Sequence, residues 1–144
     1  MDASTARGAI DFEKFRLRPF VKKLIEIGEV EIHDEPVALA EMSAIIEKTP
    51  KAVLFKKAGA EQYEVIAAVA GSRKRVAAAF GVAPGEVAAE FNRRIVKPQP
   101  IVEVKSADAP VHEIVRTGDQ IDLTKLPFHP QHQYDGGTYI SSAI

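Results

Sequence analysis

The amino-acid sequence predicts an α/β fold, in which helices flank a mixed sheet and an incomplete β-rich unit follows. Hydrophobic patterns of helices and of strands follow one another along residues 17–100, whereas strand and loop patterns dominate from Ile101 onward. With 144 residues, the chain suits a single compact domain and is long enough to bury a real core. These observations set the fold class before any single element is considered.

The first pattern along the chain is a helix followed by a strand. Apolar residues recur at helical spacing over residues 17–27, and Pro19 is compatible with the first turn of a helix. Gly28 provides the helix end, because glycine adopts a left-handed conformation at little cost. Residues 29–33 alternate between polar and apolar side chains and predict a strand, which the Asp-Glu-Pro sequence at 34–36 should terminate.

A second helix and two further strands are expected before residue 71. Apolar residues at positions 39, 42, 45 and 46 form a helical stripe that Thr49-Pro50 closes. Residues 52–55 and residues 63–70 have strand-like composition and are separated by a loop that contains a glycine. The order of elements up to this point is therefore helix, strand, helix, strand, strand.

A capped helix and an amphipathic helix are predicted next. Ser72 is a good N-cap for a helix over Arg73–Phe80, and Gly81 lies just past the end of that helix. After a Pro-Gly break, a further helix opens at Glu86. Three apolar residues share one face of this last helix: Val87, Phe91 and Ile95.

The sequence divides into three parts, with the main boundary in the proline-containing stretch 98–110. Residues 1–16 are interpreted as a leader, because they carry no sustained hydrophobic pattern. Residues 17–100 are interpreted as an N-terminal α/β domain. Residues 101–144 are interpreted as a linker with the start of the β-rich unit.

Three strands are predicted in this last part, over residues 101–104, 111–116 and 138–144. The third strand is the most informative, because it follows an Asp-Gly-Gly turn and runs to the last residue without a breaker. An unpaired apolar strand invites association with another strand. We therefore expect either a partner or a further strand of the same protein to cover residues 138–144.

Composition excludes several functional classes. The net charge is −1, from 19 basic and 20 acidic side chains, so there is no electrostatic footprint for nucleic acid or an anionic membrane. The absence of cysteine excludes disulfides, a thiol nucleophile and a thiolate zinc site. No apolar run is long enough to span a bilayer, and the first residues lack the apolar core of a secretion signal. We therefore expect a cytoplasmic protein.

Histidines are the first candidates for chemistry. His129 and His132, together with Asp135, have the residue types of a metal site. Their loop setting fixes no shared face as a helix would, so we interpret them as surface residues and keep metal ligation as the alternative. His33 and His112 fall on predicted strands and are interpreted as structural residues rather than catalysts.

Charged residues supply two further candidates. The Arg-Lys-Arg sequence at 73–75 begins a helix, where backbone N–H groups and cationic side chains together suit an anion. The alternative, which we favour, is a capped helix whose cations are solvated. Four acidic residues alternate along a strand and a turn, and we expect them to face solvent rather than form an acid–base pair: Glu29, Glu31, Asp34 and Glu35.

The stretch 136–141 has the best claim to a binding role within the chain. Two glycines permit close approach of the backbone to a ligand, and two hydroxyl groups offer hydrogen bonds. The alternative is an ordinary hairpin turn with surface hydroxyls. The candidate cofactor-binding residues are Gly136, Gly137, Thr138, Tyr139, Ile140 and Ser141.

Four motifs, in the right order, resemble the N-terminal part of UbiD-type decarboxylases. Leu17–Val30 resembles the family's opening helix with its Leu-x-x-Ile-Gly-Glu exit. Gly71–Gly81 is similar to the family's Gly-Ser/Thr-Arg-x-Arg helix that ends on glycine. Asp122–Pro127 and the Asp-Gly-Gly-x-Tyr-Ile sequence at 135–140 complete the match. The resemblance extends over about residues 17–144.

The resemblance implies that residues 101–144 hold the first strands of an incomplete split β-barrel, which in the family binds prenylated flavin mononucleotide. It also implies reversible non-oxidative decarboxylation of aromatic or α,β-unsaturated carboxylic acids, with Mn²⁺ and often K⁺. The family's metal ligands and its Glu-Arg-Glu acid–base set lie beyond the strand on which this sequence ends. No catalytic or metal residue is therefore assigned, and Gly136–Ser141 are expected to contact the cofactor.

Two functional hypotheses follow. In the first, which we favour, the chain is the N-terminal part of a UbiD-type decarboxylase, and the remainder of the enzyme covers Thr138–Ile144. This chain alone is then expected to bind no cofactor and to be inactive, because an acid–base set and a metal must be positioned together. In the second, the chain is a non-catalytic small subunit or binding module that pairs through the same strand with a separate cofactor-bearing chain.

Overall fold

The computed structural model describes residues 16–97, 103, 105–130 and 134–137. At the centre of this part lies a three-stranded sheet in the order β1-β2-β3, formed by Val30–Val37, Ala52–Ala58 and Tyr63–Ala67. Strand β1 runs parallel to β2, and β3 runs antiparallel to β2. The predicted α/β class with a mixed sheet is confirmed.

Strand β2 is the central element, because both of its faces are covered. Val53 and Phe55 join a core on one face, together with Met42. Leu54 is buried on the opposite face, beside the first helix. A strand that is buried on both faces has a continuous apolar sequence, which explains why Ala-Val-Leu-Phe correctly predicted the first four residues of this strand.

Helix α1 spans Leu17–Glu26 and buries Val21 and Leu24. Gly28 follows with φ of +74°, and its N–H donates to the carbonyl of Ile25 at 3.0 Å. The glycine therefore ends the helix as predicted.

The second helical stripe lies on the core face of the sheet. It is divided between a 3-10 turn at Leu39–Glu41 and the short helix α2, Met42–Ile46. Met42 is fully buried, and neighbouring apolar side chains of both pieces pack against the same cluster. The sequence therefore predicted a helical segment correctly, although only its second half is α-helical.

Two helices follow the sheet: α3 spans Arg73–Phe80 and α4 spans Val87–Ile95. The Ser72 hydroxyl accepts a hydrogen bond from the N–H of Arg75 at 3.2 Å, and Gly81 has φ of +74°. Both predicted ends of α3 are confirmed.

Cationic side chains tie these helices to each other and to α1. Lys23 donates to the carbonyl of Ala78 at 2.7 Å, near the C-terminal end of α3. Arg94 donates to the carbonyl of Phe80 at 2.8 Å and stacks over that ring at 4.8 Å. These bonds satisfy carbonyls that a helix end leaves without an intrahelical partner.

The apolar face predicted for α4 is present but open within the described part of the chain. Phe91 and Ile95 are 52% and 62% exposed. Val87 is half-buried, so only the first turn packs closely. An amphipathic helix with an open apolar face is a candidate for further packing in a larger assembly.

Three strand ends differ from the prediction. Strand β2 does not stop at Phe55 but continues to Ala58, through residues that were assigned to a loop. Strand β1 does not stop at His33 but continues to Val37, through a register shift between His33 and Pro36. The sheet tolerates this proline because β1 is an edge strand of the sheet. Strand β3 ends at Ala67 rather than residue 70, because Ala68 has φ of +56° and its carbonyl accepts from Gly71 N–H at 3.0 Å.

The strand predicted over residues 111–116 is wrong. A 3-10 turn forms at Pro110–His112, and residues 113–116 have no regular structure. The His112 ring hydrogen-bonds the carbonyl of Ser106 at 2.8 Å, which supports a local turn instead. An alternating sequence becomes a strand only beside a partner strand, and residues 105–130 contain none.

Other predictions lie outside the described residues. These are the strand over 138–144, the leader up to residue 15, and the strand over 101–104 apart from Glu103. The barrel strands and the division of the chain into three parts remain predictions.

A carboxylate on α4 makes stability depend on pH. Glu90 accepts hydrogen bonds from Arg93 and Arg94, each with a shortest contact of 2.6 Å. These bonds, the one from Arg93 above all, lower the pKa of Glu90 from 4.5 to about 2. A lowered pKa means that the contribution of Glu90 is complete above pH 4.5 and is lost as pH falls toward 2.

We therefore expect wild type to be more stable than Glu90→Gln near neutral pH, with this difference disappearing as pH falls from 4.5 toward 2. Chemical denaturation across that range measures it. Glu26→Gln, a change at an exposed position of α1, is the control and should show no such convergence. A difference for Glu90→Gln that stays constant down to pH 2 would contradict this account.

Candidate functional site

Two basic side chains at the start of α3 contact an acidic side chain of the protein itself. Arg75 is only 2% exposed, and its Nη1 donates to Glu29 Oε2 at 3.2 Å and to the carbonyl of Pro50 at 2.9 Å. Lys74 approaches Glu29 Oε1 at 2.7 Å. The anion beside these cations is therefore Glu29, and the structure gives no support to a separate anion site there.

Two expectations about these residues are wrong. The Glu29 side chain is only 14% exposed and does not face solvent, and Arg75 is not a solvated helix residue. The hydrogen bond from Lys74 lowers the pKa of Glu29 most strongly, and Arg75 adds to this shift against the opposing effect of burial. The physical reason is that burial of an arginine requires a partner charge, and the α1–β1 junction supplies it.

Gly71 makes room for this arginine. A Cβ atom at Gly71 would lie 2.9 Å from Arg75 Nη2 and 3.1 Å from the carbonyl oxygen of Ala68. The guanidinium has little freedom to move away, because Glu29 and the carbonyl of Pro50 hold it. The glycine of the Gly-Ser-Arg-x-Arg motif thus serves the packing of the second arginine.

Glu31 and His33 form a separate, half-buried pair on β1, and their register partners on β2 are Val53 and Phe55. His33 Nε2 lies 3.0 Å from Glu31 Oε1, and the two ring centroids of His33 and Phe55 are 5.5 Å apart. A hydrogen bond from Thr49, followed by that from His33, lowers the pKa of Glu31. The half-buried His33 therefore has structural contacts, as the sequence indicated.

The histidine-containing loop is described only in part. The chain around Pro130 is held by the Ser43 hydroxyl, which donates to the Pro130 carbonyl at 2.8 Å. His129 and Asp135 are half-buried, whereas His132 lies outside the described residues. Within the described part, no three His, Asp or Glu side chains are grouped closely enough to hold a metal ion.

The candidate cofactor-binding stretch is likewise described at its beginning only. Gly136 and Gly137 are exposed, and a Cβ atom at either position would meet nothing within 4 Å. Thr138, Tyr139, Ile140 and Ser141 lie outside the described residues. A role of Gly136–Ser141 in cofactor binding stays a prediction.

Residues 105–130, which we call the C-terminal arm, follow the α/β unit, which consists of the elements from α1 to α4. Residues 124–127 and the loop at 58–63 line a cavity of about 320 Å³. Earlier in the arm, the large apolar side chains are between 55% and 78% exposed: Val111, Ile114, Val115, Ile121 and Leu123. This concentration of exposed apolar side chains is typical of a surface that another part of a protein covers.

Comparisons with known proteins identify two family regions in this chain. Residues 21–95 match the 3-octaprenyl-4-hydroxybenzoate carboxy-lyase N-terminal domain. Residues 102–144 match the 3-octaprenyl-4-hydroxybenzoate carboxy-lyase Rift-related domain. The first region is the α/β unit, and the second contains the arm.

Curated relatives agree with this assignment. Pyrrole-2-carboxylic acid decarboxylase of Pseudomonas aeruginosa is 32% identical over 154 residues, which covers 94% of this chain and 30% of that protein. Anhydromevalonate phosphate decarboxylase of Methanosarcina mazei is 30% identical over 128 residues, which covers 88% of this chain and 29% of that protein. The chain thus spans about 30% of the length of these relatives.

Both matched regions are domains of a carboxy-lyase family. The chain belongs to the UbiD family, as its sequence motifs predicted. In the described part of the chain, no helix is long and apolar enough to cross a membrane.

The Arg75–Glu29 pair generates a test of stability. Glu29→Ala leaves Arg75 buried without its charge partner, and we expect a loss of about 3–5 kcal/mol in the free energy of unfolding. Lys74→Ala removes the other partner of the same carboxylate, but Lys74 is 58% exposed. The Lys74→Ala change should therefore lower the free energy of unfolding by at most about 1 kcal/mol. Urea denaturation measures both, and equal losses would contradict the dominance of the buried pair.

Gly71 provides a second test at the same place. Gly71→Ala should lower the free energy of unfolding by about 1–3 kcal/mol, because the added methyl group displaces the buried guanidinium. Gly85→Ala is the matched control, since a Cβ there meets nothing within 4 Å. Thermal unfolding of both variants measures the contrast. A Gly71→Ala protein as stable as the control would show that Arg75 moves aside without cost.

Proposed function

We propose that this chain is the N-terminal part of a UbiD-type decarboxylase that acts on aromatic or α,β-unsaturated carboxylic acids by reversible, non-oxidative decarboxylation. The order of the two matched regions supports this proposal. The name of the Pseudomonas aeruginosa relative supports an aromatic substrate, because it specifies pyrrole-2-carboxylic acid.

The observation that carries the proposal is the exposed apolar arm. Its side chains belong to the region that matches the Rift-related domain, and they are more than half exposed. Burial of one Val or Ile side chain contributes about 1.5–3 kcal/mol. A domain that keeps several of them in water forgoes this stabilisation. We infer that the remainder of the Rift-related domain, in the same or a separate chain, covers the arm and pairs with Thr138–Ile144.

The cofactors belong to the same proposal. We expect prenylated flavin mononucleotide, Mn²⁺ and K⁺ to act in the complete enzyme, with Gly136–Ser141 near the flavin. The described residues of this chain do not by themselves form such a site: they contain no metal-binding group of acidic or histidine side chains, and Gly136 and Gly137 are open to solvent. We propose that the chain alone is inactive, because an acid–base set and a metal must be positioned together for this chemistry.

Reconstitution tests this proposal directly. The 144-residue chain should bind neither prenylated flavin nor Mn²⁺ at a one-to-one ratio, and it should release no CO₂ from pyrrole-2-carboxylic acid. The full-length Pseudomonas aeruginosa relative, treated in the same way, is the control for an active cofactor preparation. Stoichiometric flavin binding with a shifted absorption spectrum, or decarboxylation by the isolated chain, would overturn the proposal.

A further inference from the structure

Helix α1 leaves part of one sheet face uncovered on the side of β3. Leu54 of β2 is only 3% exposed beside the helix, whereas its register partner on β3, Ile66, is half-buried. A groove of about 700 Å³ lies along this side, and we call it the α1 groove. The helix and the two strands contribute its apolar lining: Leu17, Val21, Ile25, Leu54 and Ile66.

The two sides of α1 have different surroundings. One side contacts α3, where Lys23 donates to a backbone carbonyl. The groove side carries Arg18 and Lys22, which are four residues apart and therefore lie on one face of the helix. Both are exposed, and neither has an ion-pair partner in the described part of the chain. Lys56 also lines the groove but already pairs with Glu64 at 2.6 Å.

The size and charge of the groove define the ligand that fits it. Its volume lies within the range of small-molecule sites, about 300–1,000 Å³. Arg18 and Lys22 suit a carboxylate, since charge-assisted hydrogen bonds are the strongest that either side chain makes. A single negative charge is favoured, because Glu64 in the same lining repels a more highly charged group. We propose that the α1 groove binds an alkyl monocarboxylate, whose carboxylate lies between Arg18 and Lys22 and whose chain lies on the apolar floor.

The apolar floor has room for such a chain. Leu17 and Ile25 are eight residues apart, or about 12 Å along the helix. They are 53% and 38% exposed, so apolar surface remains to be covered. Each methylene group that becomes buried raises the affinity up to about fourfold. The affinity should therefore rise with chain length until the floor is covered. This inference does not depend on the proposed function, because a saturated alkyl carboxylate is outside the substrate class proposed there.

Titration of the 144-residue chain with hexanoate, octanoate and decanoate, each below its micelle-forming concentration, tests the proposal by amide NMR. The dissociation constant should fall about two- to fourfold for each added methylene group. Amide shifts should concentrate in α1 and β3. Octan-1-ol should bind about two- to fivefold more weakly than octanoate, because it lacks the charge. Equal binding of octanoate and octylammonium, or shifts centred on α4, would overturn the proposal.

A pair of lysine variants tests the contact with the carboxylate. Lys22→Gln should weaken the binding of octanoate about two- to fivefold and leave the binding of octan-1-ol unchanged. Lys48→Gln is the matched control, since it removes the same charge at an exposed position just after α2. Its affinity for octanoate should equal that of the wild type. Equal losses in the two variants would show that only the net charge of the protein attracts the acid.

A pair of isoleucine variants tests the contact with the chain. Ile25→Ala should weaken the binding of decanoate about three- to tenfold, because it removes part of the apolar floor. Ile27→Ala is the matched control, since Ile27 is 41% exposed and does not line the groove. An equal affinity of both variants for decanoate would contradict the proposed position of the chain.

Two measurements examine other occupants of the groove. Cosedimentation with phosphatidylcholine vesicles that contain one part in three of phosphatidylglycerol, by about that proportion, should show no Lys22-dependent binding. Vesicle binding without binding of dissolved decanoate would overturn the proposal, because the occupant would then be a membrane surface. Sedimentation equilibrium should give the same oligomeric state for wild type and Lys22→Gln. A dimer that Lys22→Gln disrupts would also overturn the proposal, because a second copy would then occupy the groove.

Discussion

The buried pair of Arg75 and Glu29 is the interaction on which the α/β unit depends. It joins the junction between α1 and β1 to helix α3, and through the carbonyl of Pro50 it also reaches the chain that enters β2. A guanidinium away from water costs several kcal/mol unless charges and carbonyls surround it. Gly71 leaves the space, Glu29 supplies the charge, and α4 joins the unit through its contacts with α3.

Local signals explain what the sequence predicted well. Ser72 and Gly81 define α3 because a cap and a left-handed glycine act within one helix turn. The Arg75–Glu29 pair escaped prediction because its members are 46 positions apart, and alternation alone assigned Glu29 to solvent. The strand expected at 111–116 failed for a related reason: its pattern is local, whereas strand formation needs a partner. The motif that contains Gly71 and Arg75 still identified the family.

The apolar side chains of the described residues fall into two groups, one buried in a core and one exposed to solvent. The α/β unit has an internal core around Phe55 and Met42 and needs no further element to bury it. The face of α4 and the C-terminal arm leave apolar side chains in water. The matched relatives are more than three times as long as this chain, and the proposed function assigns the cover of both surfaces to the corresponding further residues. Under the proposed function, the chemistry lies in parts of the enzyme outside the α/β unit.

Native-state hydrogen exchange on the 144-residue chain tests this division most directly. The account predicts that amides of β2 at 52–55 are protected by about a thousandfold or more, because they open only when the α/β unit unfolds. Amides of the arm at 111–123 should exchange nearly as fast as those of an unstructured peptide. Protection of the arm equal to that of β2 would contradict the account, since the arm would then be packed without the rest of its domain.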